Sequence, residues 1–196
     1  MLKILYAEAS KTVRGPAVFI DRDGVINCRR PGDYVLDWSQ FIFVPGIRDA
    51  LKQLFLLGLP MIIISNQAAV GKGLLDTVGL EEITNKMHQV LAGDGTILAA
   101  TYYCTHRPDE HCPCRKPKPA LLVSAAADFN IDLRRSVFIG DSESDVQAAQ
   151  AAGCASLLFG PEIAAPSTSR TDTLIARKVT DIYALVAKHV HATERA

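Results

Sequence analysis

The sequence lacks an excess of either charge: Lys and Arg together number 21 among its 196 residues, and Asp and Glu also number 21. A chain balanced in this way has little electrostatic means of capturing nucleic acid or an anionic membrane, so we expect neither as a partner. No apolar run approaches the roughly 20 residues that cross a bilayer. Residues 1–15 lack the apolar core of a secretion signal. We therefore expect a protein of the cytoplasm.

The sequence also lacks internal repeats, low-complexity stretches and any linker that would divide it. Apolar residues make up 48% of the chain and charged residues 21%, which is ordinary for a globular protein. A chain of this length can bury one sizeable core. We predict a single domain over residues 1–196, monomeric or weakly oligomeric, in which residues 1–15 form an N-terminal extension.

Short apolar runs of β-prone residues alternate with segments of helical periodicity. We predict strands at 17–20, 60–65, 99–103, 136–141 and 155–159, and helices at 46–57, 76–91, 120–129, 145–152 and 180–189. Residues 28–44 show no clear period and predict a flap with a short hairpin, and residues 160–171 predict a Pro/Ser/Thr-rich loop. The alternation predicts an α/β fold, a three-layer α/β/α sandwich around a Rossmann-like parallel sheet.

The first predicted strand ends in two carboxylates, Asp21 and Asp23, which are separated by Arg22 and followed by a glycine. Open α/β sheets bind ligands at the carboxyl ends of their strands, so we expect both carboxylates at the mouth of a crevice and Arg22 on the other face. Carboxylates this close repel each other unless a cation or a proton lies between them. The pattern alone is equally compatible with a structural turn, so the residues downstream decide.

Two more strand ends and one loop supply polar residues for the same edge of the sheet: Ser65, Asp141 and Lys116. Carboxylates suit Mg²⁺, and a hydroxyl with a compact positive charge suits a phosphoryl group. Taken singly, Asp141 could be a helix cap and Lys116 a solvated loop charge. Because they recur at successive strand ends, they favour phosphoryl transfer in which an aspartate acts as nucleophile beside a metal.

A cluster of cysteine and histidine lies in the loop over residues 104–117. Its members are Cys104, His106, Cys112 and Cys114. Four nitrogen and sulfur ligands without a carboxylate are typical of a closed, structural zinc site. His111 is a rival ligand next to the cluster, whereas Cys28 and Cys154 stand alone and are expected to be ordinary residues.

The motifs resemble those of the haloacid dehalogenase (HAD) superfamily of phosphatases, and the resemblance spans residues 17–159. It implies that Asp21 is the nucleophile, that Asp23 is the general acid and base, and that Ser65 and Lys116 complete the catalytic set. It also implies Mg²⁺ bound by the Asp21 carboxylate, the Asp23 backbone carbonyl and Asp141. The stretch Gly140–Asp145 matches the last motif. No insertion between motifs is long enough for a cap domain, so a capless HAD-like fold with a zinc-stapled loop is expected.

The zinc loop and the residues that follow it resemble the branch of the superfamily that contains heptose 1,7-bisphosphate phosphatases and histidinol-phosphate phosphatases. This resemblance implies release of the 7-phosphate of D-glycero-D-manno-heptose 1,7-bisphosphate through an aspartyl-phosphate, in the biosynthesis of nucleotide-activated heptose. The candidate substrate-binding residues are Asn66, Gln67, Lys72, Arg115 and the flap pair Arg29 and Arg30. Lys72 stands where heptose enzymes often carry Arg, which keeps the charge but loses bidentate phosphate geometry.

Other functions stay open at this point. A histidinol-phosphate phosphatase is the nearest rival, and the basic residues favour a bisphosphate over it. A polynucleotide 3′-phosphatase is disfavoured by the balanced charge. A non-catalytic, zinc-stabilised binding domain is disfavoured by the complete set of catalytic residues. The sequence does not decide between the α and β anomers of the heptose, nor between the lipopolysaccharide and capsule pathways that follow from them.

Overall fold

The computed structural model describes residues 1–6, 15–30, 32–160 and 173–194. Its strands are β1 (Leu2–Leu5), β2 (Val18–Ile20), β3 (Met61–Asn66), β4 (Ala100–Cys104), β5 (Val137–Gly140), β6 (Ala155–Phe159) and β7 (Thr173–Ala176). They form one sheet in the order β1-β4-β3-β2-β5-β6-β7. The β1–β4 pairing is antiparallel, and the other pairings are parallel.

Helices lie on both faces of this sheet. They are α1 (Ile47–Phe55), α2 (Ala68–Gly71), α3 (Thr77–Gly93), α4 (Ala120–Asp128), α5 (Glu143–Ala152) and α6 (Val179–Glu194). Along β2, Val18 and Ile20 belong to a core shared with α1, α3 and α6, whereas Phe19 belongs to a second core shared with α4 and α5. The predicted three-layer α/β/α fold is confirmed. Because the order of the strands reverses beside β2, that strand ends at the position where such sheets bind ligands.

The N-terminal segment contains a strand that the sequence analysis did not predict. Residues Leu2–Leu5 form an edge strand that pairs with β4, in register from Leu2 opposite Tyr103 to Leu5 opposite Ala100. Four residues are too few to show a period, and burial along them only alternates between partial and exposed. Tertiary pairing with β4 therefore decides the structure of this segment.

The described residues of the flap, 28–30 and 32–44, do not form the predicted hairpin. They hold a 3₁₀ turn, Trp38–Gln40, and a single bridge between Asn27 and Phe43. The rings of Trp38 and Phe41 are stacked, with centroids 5.0 Å apart, and Phe43 packs edge to face against Phe41 at 5.1 Å. The flap is therefore organised by contacts among these aromatic rings beside the core, and not by the pairing of two short strands.

Three smaller differences concern short elements. The predicted loop after β3 begins with the helix α2, and the strand β7 was not predicted. The last helix begins at Val179, so Thr180 lies inside it and does not cap it. The predicted loop at 160–171 lies, except for Gly160, outside the described residues. In the described part of the chain, no helix combines the length and the apolar character needed to cross a membrane.

Candidate active site

Asp21 lies directly after β2 and is held by the backbone on both sides. Its N–H donates to the carbonyl of Ile139 in β5 (2.8 Å), and its Oδ1 accepts from the N–H of Arg22 (2.7 Å). Burial raises the pKa of the Asp21 carboxyl to about 6, an effect that the charge of Lys116 partly offsets. The predicted nucleophile is thus a buried carboxyl with a fixed orientation.

Lys116 reaches this carboxylate from the zinc loop. Its Nζ lies 2.9 Å from Asp21 Oδ2 and 2.6 Å from Asp145 Oδ1, and it donates to the carbonyl of Ile64 at 3.2 Å. The lysine and both aspartates are buried. Asp145 is a site residue to which the sequence analysis gave no role. In the sequence, Asp145 could be read in two ways, because a carboxylate three residues after Ser142 also forms the capping box of α5.

Three carboxylates converge beside this lysine. One oxygen from each of Asp21, Asp141 and Asp145 lies within 4.8 Å of the others. Lys116 and Arg29, whose Nη2 lies 2.8 Å from Asp141 Oδ1, supply two positive charges against three negative ones. Burial and then the charge of Asp21 raise the pKa of Asp141 to about 7. Since Mg²⁺ prefers carboxylate oxygens and would relieve this repulsion, the residues present fit it.

Asp23 is held by a different set of partners. Its carboxylate accepts from both Nε and Nη2 of Arg22, from Asn27 Nδ2 (2.9 Å) and from Gln67 Nε2 (2.7 Å). Burial alone would raise the pKa of Asp23, but Arg22 and the two amides outweigh it and hold that pKa below its ordinary value. Arg22 was expected to point to the other face; its guanidinium lies over the ring of Tyr103, in the core shared with Val18 and Ile20, and also bonds the carboxylate of Asp23.

The side chains of residues 65–67, at the end of β3, make three different sets of contacts. Ser65, the predicted hydroxyl donor, borders the same cavity as Asp21. Gln67 was expected to contact substrate, but it is only 3% exposed, and its amide donates to Asp23 and to Ser65 Oγ. The side chain of Asn66 bonds both backbone groups of Lys116, donating to the carbonyl (3.2 Å) and accepting from the N–H (3.1 Å). Asn66 therefore ties the end of β3 to the zinc loop.

The four predicted zinc ligands lie together. The sulfur of Cys104 is 3.5 Å from that of Cys112 and 3.6 Å from His106 Nδ1, and the sulfur of Cys114 is 3.7 Å from that of Cys112 and 3.3 Å from the same nitrogen. Tetrahedral zinc with ordinary bond lengths separates its ligands by roughly 3.5–3.8 Å, so the cluster fits this metal. His111, the rival ligand, lies outside the cluster.

The zinc loop contacts the active site through backbone as well as through Lys116. At Gly71, the last residue of α2, a Cβ atom would lie 2.6 Å from the carbonyl oxygen of Thr105 and 2.8 Å from the nitrogen of Arg107. Only glycine allows an approach this close. Arg115 donates from Nη1 to the carbonyl of His106 at 3.4 Å. The loop therefore sets the position of α2 and of two basic residues at the site.

Two adjoining cavities open at this edge of the sheet. The inner cavity, of about 280 Å³, is lined by Asp21, Asp23, Arg29, Ser65, Asn66, Arg115, Lys116, Ser142 and Ser144. The outer cavity, of about 570 Å³, is lined by Arg22, Asp23, Arg29, Arg30, Gly32, Asp33, Tyr34, Val35, Asn66 and Lys72. In the outer cavity the ammonium of Lys72 lies 5.2 Å from the ring centre of Tyr34, and Arg30 pairs with Asp33 at 2.8 Å. The flap and the α2 loop thus form the walls of the outer space.

Comparison with known proteins agrees with this geometry. A family model described as HAD-hydrolase-like matches residues 113–186. The D-glycero-beta-D-manno-heptose-1,7-bisphosphate 7-phosphatase of Helicobacter pylori (strain J99) is 41% identical over 133 residues, which cover 67% of this chain and 75% of that protein. This chain belongs to the HAD superfamily, in the group of the heptose bisphosphate phosphatases. As a member of this family it is a phosphoric monoester hydrolase.

Two further relatives bear on anomer and metal. The D-glycero-alpha-D-manno-heptose-1,7-bisphosphate 7-phosphatase of Mycobacterium tuberculosis (strain H37Rv) is 37% identical over 149 residues, covering 73% of this chain and 78% of that protein. The D,D-heptose 1,7-bisphosphate phosphatase of B. bronchiseptica, solved with magnesium and phosphate, superposes with a TM-score of 0.79 at 29% identity. The superposition covers 88% of this chain and 98% of that one.

Proposed function

We propose that this chain hydrolyses the 7-phosphate of D-glycero-D-manno-heptose 1,7-bisphosphate and leaves the anomeric phosphate in place for later nucleotide activation. The observation that carries the proposal is the pair of adjoining cavities. The inner one joins Asp21 and Lys116 in a space suited to one phosphoryl group, and the outer one offers Arg30 and Lys72 to a sugar with a second phosphate. The substrate is a small phosphorylated sugar, and we place the reaction in the cytoplasm.

In this proposal Asp21 and Asp23 divide the chemistry. An oxygen of Asp21 attacks phosphorus, and the bond from phosphorus to the leaving sugar oxygen breaks while Asp23 donates a proton to that oxygen. Asp23 then removes a proton from water, which attacks the aspartyl-phosphate, regenerates Asp21 and releases inorganic phosphate. The orientation of Asp21, fixed by two backbone hydrogen bonds, supports its role because attack requires alignment with the leaving oxygen.

Lys116 and Ser65 act on the oxygens of the reacting phosphoryl group. Lys116 offsets the charge that gathers on those oxygens, and Ser65 donates a hydrogen bond. Asp145 keeps Lys116 charged and in place, which its 2.6 Å contact supports. Arg115 borders the same cavity and is free to recognise the substrate from the zinc-loop side.

Two metals complete the proposal. Mg²⁺ would be held by the Asp21 carboxylate, the Asp23 backbone carbonyl and Asp141, and when bound it supplies electrostatic stabilisation of the phosphoryl group. Zn²⁺ would be held by the cluster of Cys104, His106, Cys112 and Cys114 and has a structural role. Since Lys116 and Arg115 follow directly after the last ligand, zinc fixes their positions.

The proposal is tested by phosphate release in Mg²⁺, with both anomers of the heptose bisphosphate and with histidinol phosphate at equal concentrations. Both anomers are needed because the relatives carry both names. We expect at least a tenfold preference in kcat/KM for one bisphosphate, which corresponds to about 1.4 kcal/mol of transition-state binding. A preference for histidinol phosphate would overturn the substrate and leave the phosphatase assignment intact.

A substitution at Lys72 tests the second phosphate site. Lys72→Met should raise KM for the bisphosphate by about tenfold, the loss of one charged hydrogen-bonding partner, and should leave KM for heptose 7-phosphate nearly unchanged because that substrate lacks the anomeric phosphate. Lys52→Met, at a lysine on the distant helix α1, is the matched control. Equal effects on the two substrates would remove Lys72 from the second phosphate site.

A further inference from the structure

Arg22 is the largest fully buried side chain of the described residues. Its side chain is 1% exposed, although it sits between two residues of the active site. It borders the outer cavity but presents almost no surface to a substrate. Its charge must therefore act on the protein itself.

The contacts of Arg22 are directed at one side chain. Nη2 lies 3.0 Å from Asp23 Oδ1 and 3.1 Å from Oδ2, and Nε lies 3.2 Å from Oδ1. The guanidinium carbon lies 5.8 Å from the ring centre of Tyr103, whose hydroxyl is 3.0 Å from Thr84 Oγ1. Arg22 is thus packed against a fixed aromatic ring on one side and grips a carboxylate on the other.

A buried pair of Arg22 and Asp23 is not expected to add much to the free energy of unfolding. A buried ion pair contributes little net stability, because desolvation of both charges opposes their attraction, and apolar residues of the same volume often serve as well. What a planar guanidinium adds is geometry, since its donors lie in a fixed fork that matches a carboxylate. Asp23 is also 30% exposed toward the cavities, so only its protein-facing side is held.

We propose that Arg22 is a positioning residue that fixes the carboxyl of Asp23 against the inner cavity, where it exchanges protons with the leaving oxygen and with water. This inference rests on the proposed function, in which Asp23 is the acid and the base. Asn27 and Gln67 assist by holding one oxygen each. Because Arg22 and the two amides favour the ionised form of Asp23, the proton for the leaving oxygen is taken up from solvent on the exposed side of the carboxyl. Once that proton has been given away, the carboxylate that remains is already paired with Arg22 and does not turn away before water is activated.

The test compares leaving groups. A sugar alkoxide needs a proton as it departs, whereas p-nitrophenolate departs without one, and kcat/KM reports the steps up to formation of the aspartyl-phosphate. Arg22→Met should lower kcat/KM for the heptose bisphosphate by about 100-fold, the lower range of a lost general acid, and for p-nitrophenyl phosphate by less than about fivefold. Arg22→Lys should resemble Arg22→Met, because a single ammonium does not reproduce the fork.

A double substitution shows whether Arg22 acts through Asp23. Asp23→Asn alone should reproduce the leaving-group pattern, and adding Arg22→Met to it should cost less than about threefold more, since coupled residues are not additive. Arg48→Met is the matched control: Arg48 also pairs with an aspartate, Asp94, and lies over an aromatic ring, but it does so away from both cavities.

If the Arg22 variants do not fold, Gln67→Met provides a second test of the proposal. It removes one donor to Asp23 without burying an unpaired charge, and it should show the same leaving-group preference on a smaller scale. Equal losses on both substrates in every variant, or full additivity in the double variant, would overturn the proposal. If the wild type does not hydrolyse the heptose bisphosphate and prefers histidinol phosphate, the proposed substrate is wrong. The role of Arg22 is then tested by the same comparison, with histidinol phosphate as the alkyl ester.

Discussion

At the scale of single residues, the candidate site is a balance of buried charges around Lys116. That ammonium pairs with Asp21 and Asp145, and the two carboxylates are held by separate strands and helices. Buried charges are tolerated only when paired, so removing one partner changes both the chemistry and the stability. The two aspartates differ in which of these effects should dominate.

Asp21→Asn should abolish phosphatase activity, by about 10³-fold or more in kcat, because an amide cannot attack phosphorus to form the acyl phosphate. The variant should fold and keep its zinc, since the amide retains the shape of the side chain and lies outside the cysteine cluster. Stopped phosphate-release assays and zinc analysis check both statements. Asp128→Asn, a half-exposed aspartate far from the site, is the control, and retained activity in Asp21→Asn would remove the nucleophile from the proposal.

Asp145→Asn should destabilise the fold by about 2 kcal/mol, because Lys116 then keeps only one of its two buried anionic partners. It should also lower kcat, since the ammonium is freed to shift away from the phosphoryl oxygens. Denaturant unfolding and steady-state kinetics measure the two effects. Asp49→Asn, on the exposed face of α1, should change neither quantity, and a wild-type free energy of unfolding in Asp145→Asn would show that this ion pair is dispensable.

The motifs predicted which residues meet, but not how each side chain is used. Asp21, Ser65, Lys116 and Asp141 converge because parallel strands end at one edge, which a linear pattern can reveal. The roles of Arg22 and Gln67 depend on side-chain torsions and on neighbours far along the chain. No spacing rule distinguishes an amide that faces a ligand from one that supports a carboxylate.

At the scale of elements, the zinc loop has little regular structure, only the last residue of β4 and a 3₁₀ turn at Pro108–Glu110, but its position is closely determined. Its cysteines belong to the apolar core shared with α4 and α5, and its backbone touches α2 at Gly71. Burial raises the pKa of the Cys104 thiol to about 12, so without a metal this ligand stays protonated. Metal binding is therefore coupled to the conformation of the segment that carries Lys116.

Cys112→Ser should lose zinc and lower kcat by about tenfold or more, because displacement of a catalytic group by even 1 Å is costly. The melting temperature should fall as well. Metal analysis, kinetics and thermal unfolding check the three outcomes together. Cys154→Ser is the control, since Cys154 is also buried but lies outside the cluster. Wild-type kcat in a zinc-free Cys112→Ser protein would show that the loop holds Lys116 without its metal.

The elements that the sequence did not reveal are the short ones. β1, α2 and β7 contain four residues each, which is fewer than a pattern needs to establish a period. Each is formed by a neighbour: β4 and β6 supply hydrogen bonds to the two strands, and the zinc loop supports α2. The other five strands and the longer helices were predictable because their own residues carry the signal; β2 and β5 have only three and four residues, but each lies in a buried apolar run that ends at a carboxylate.

At the scale of the whole molecule, acid stability should depend on one partly buried histidine, His88. His88 on α3 lies beneath the ring of Tyr6, with centroids 3.5 Å apart, and contacts Thr101 of β4. Burial lowers the pKa of His88 from 6.5 to about 4. A lowered histidine pKa means that the fold favours the neutral ring, so its stabilisation is complete above pH 6.5 and is lost as the pH falls toward 4.

Comparison of the wild type with His88→Gln isolates this effect, because the carboxylates contribute equally to both proteins. The wild type should lose about 2 kcal/mol more than the variant between pH 7 and pH 5. Denaturant unfolding at a series of pH values measures the difference. Parallel stability curves for His88→Gln and the wild type would contradict the prediction.

The order of the strands has a consequence for measuring the unfolding of this chain. The first and last described strands, β1 and β7, form opposite edges of the sheet, six inter-strand spacings apart. At about 4.8 Å each, the two edges are separated by roughly 29 Å. An unfolded chain of this length has a radius of gyration of about 47 Å. A donor and an acceptor dye, one on each edge strand, would therefore lose most of their energy transfer when the sheet unfolds.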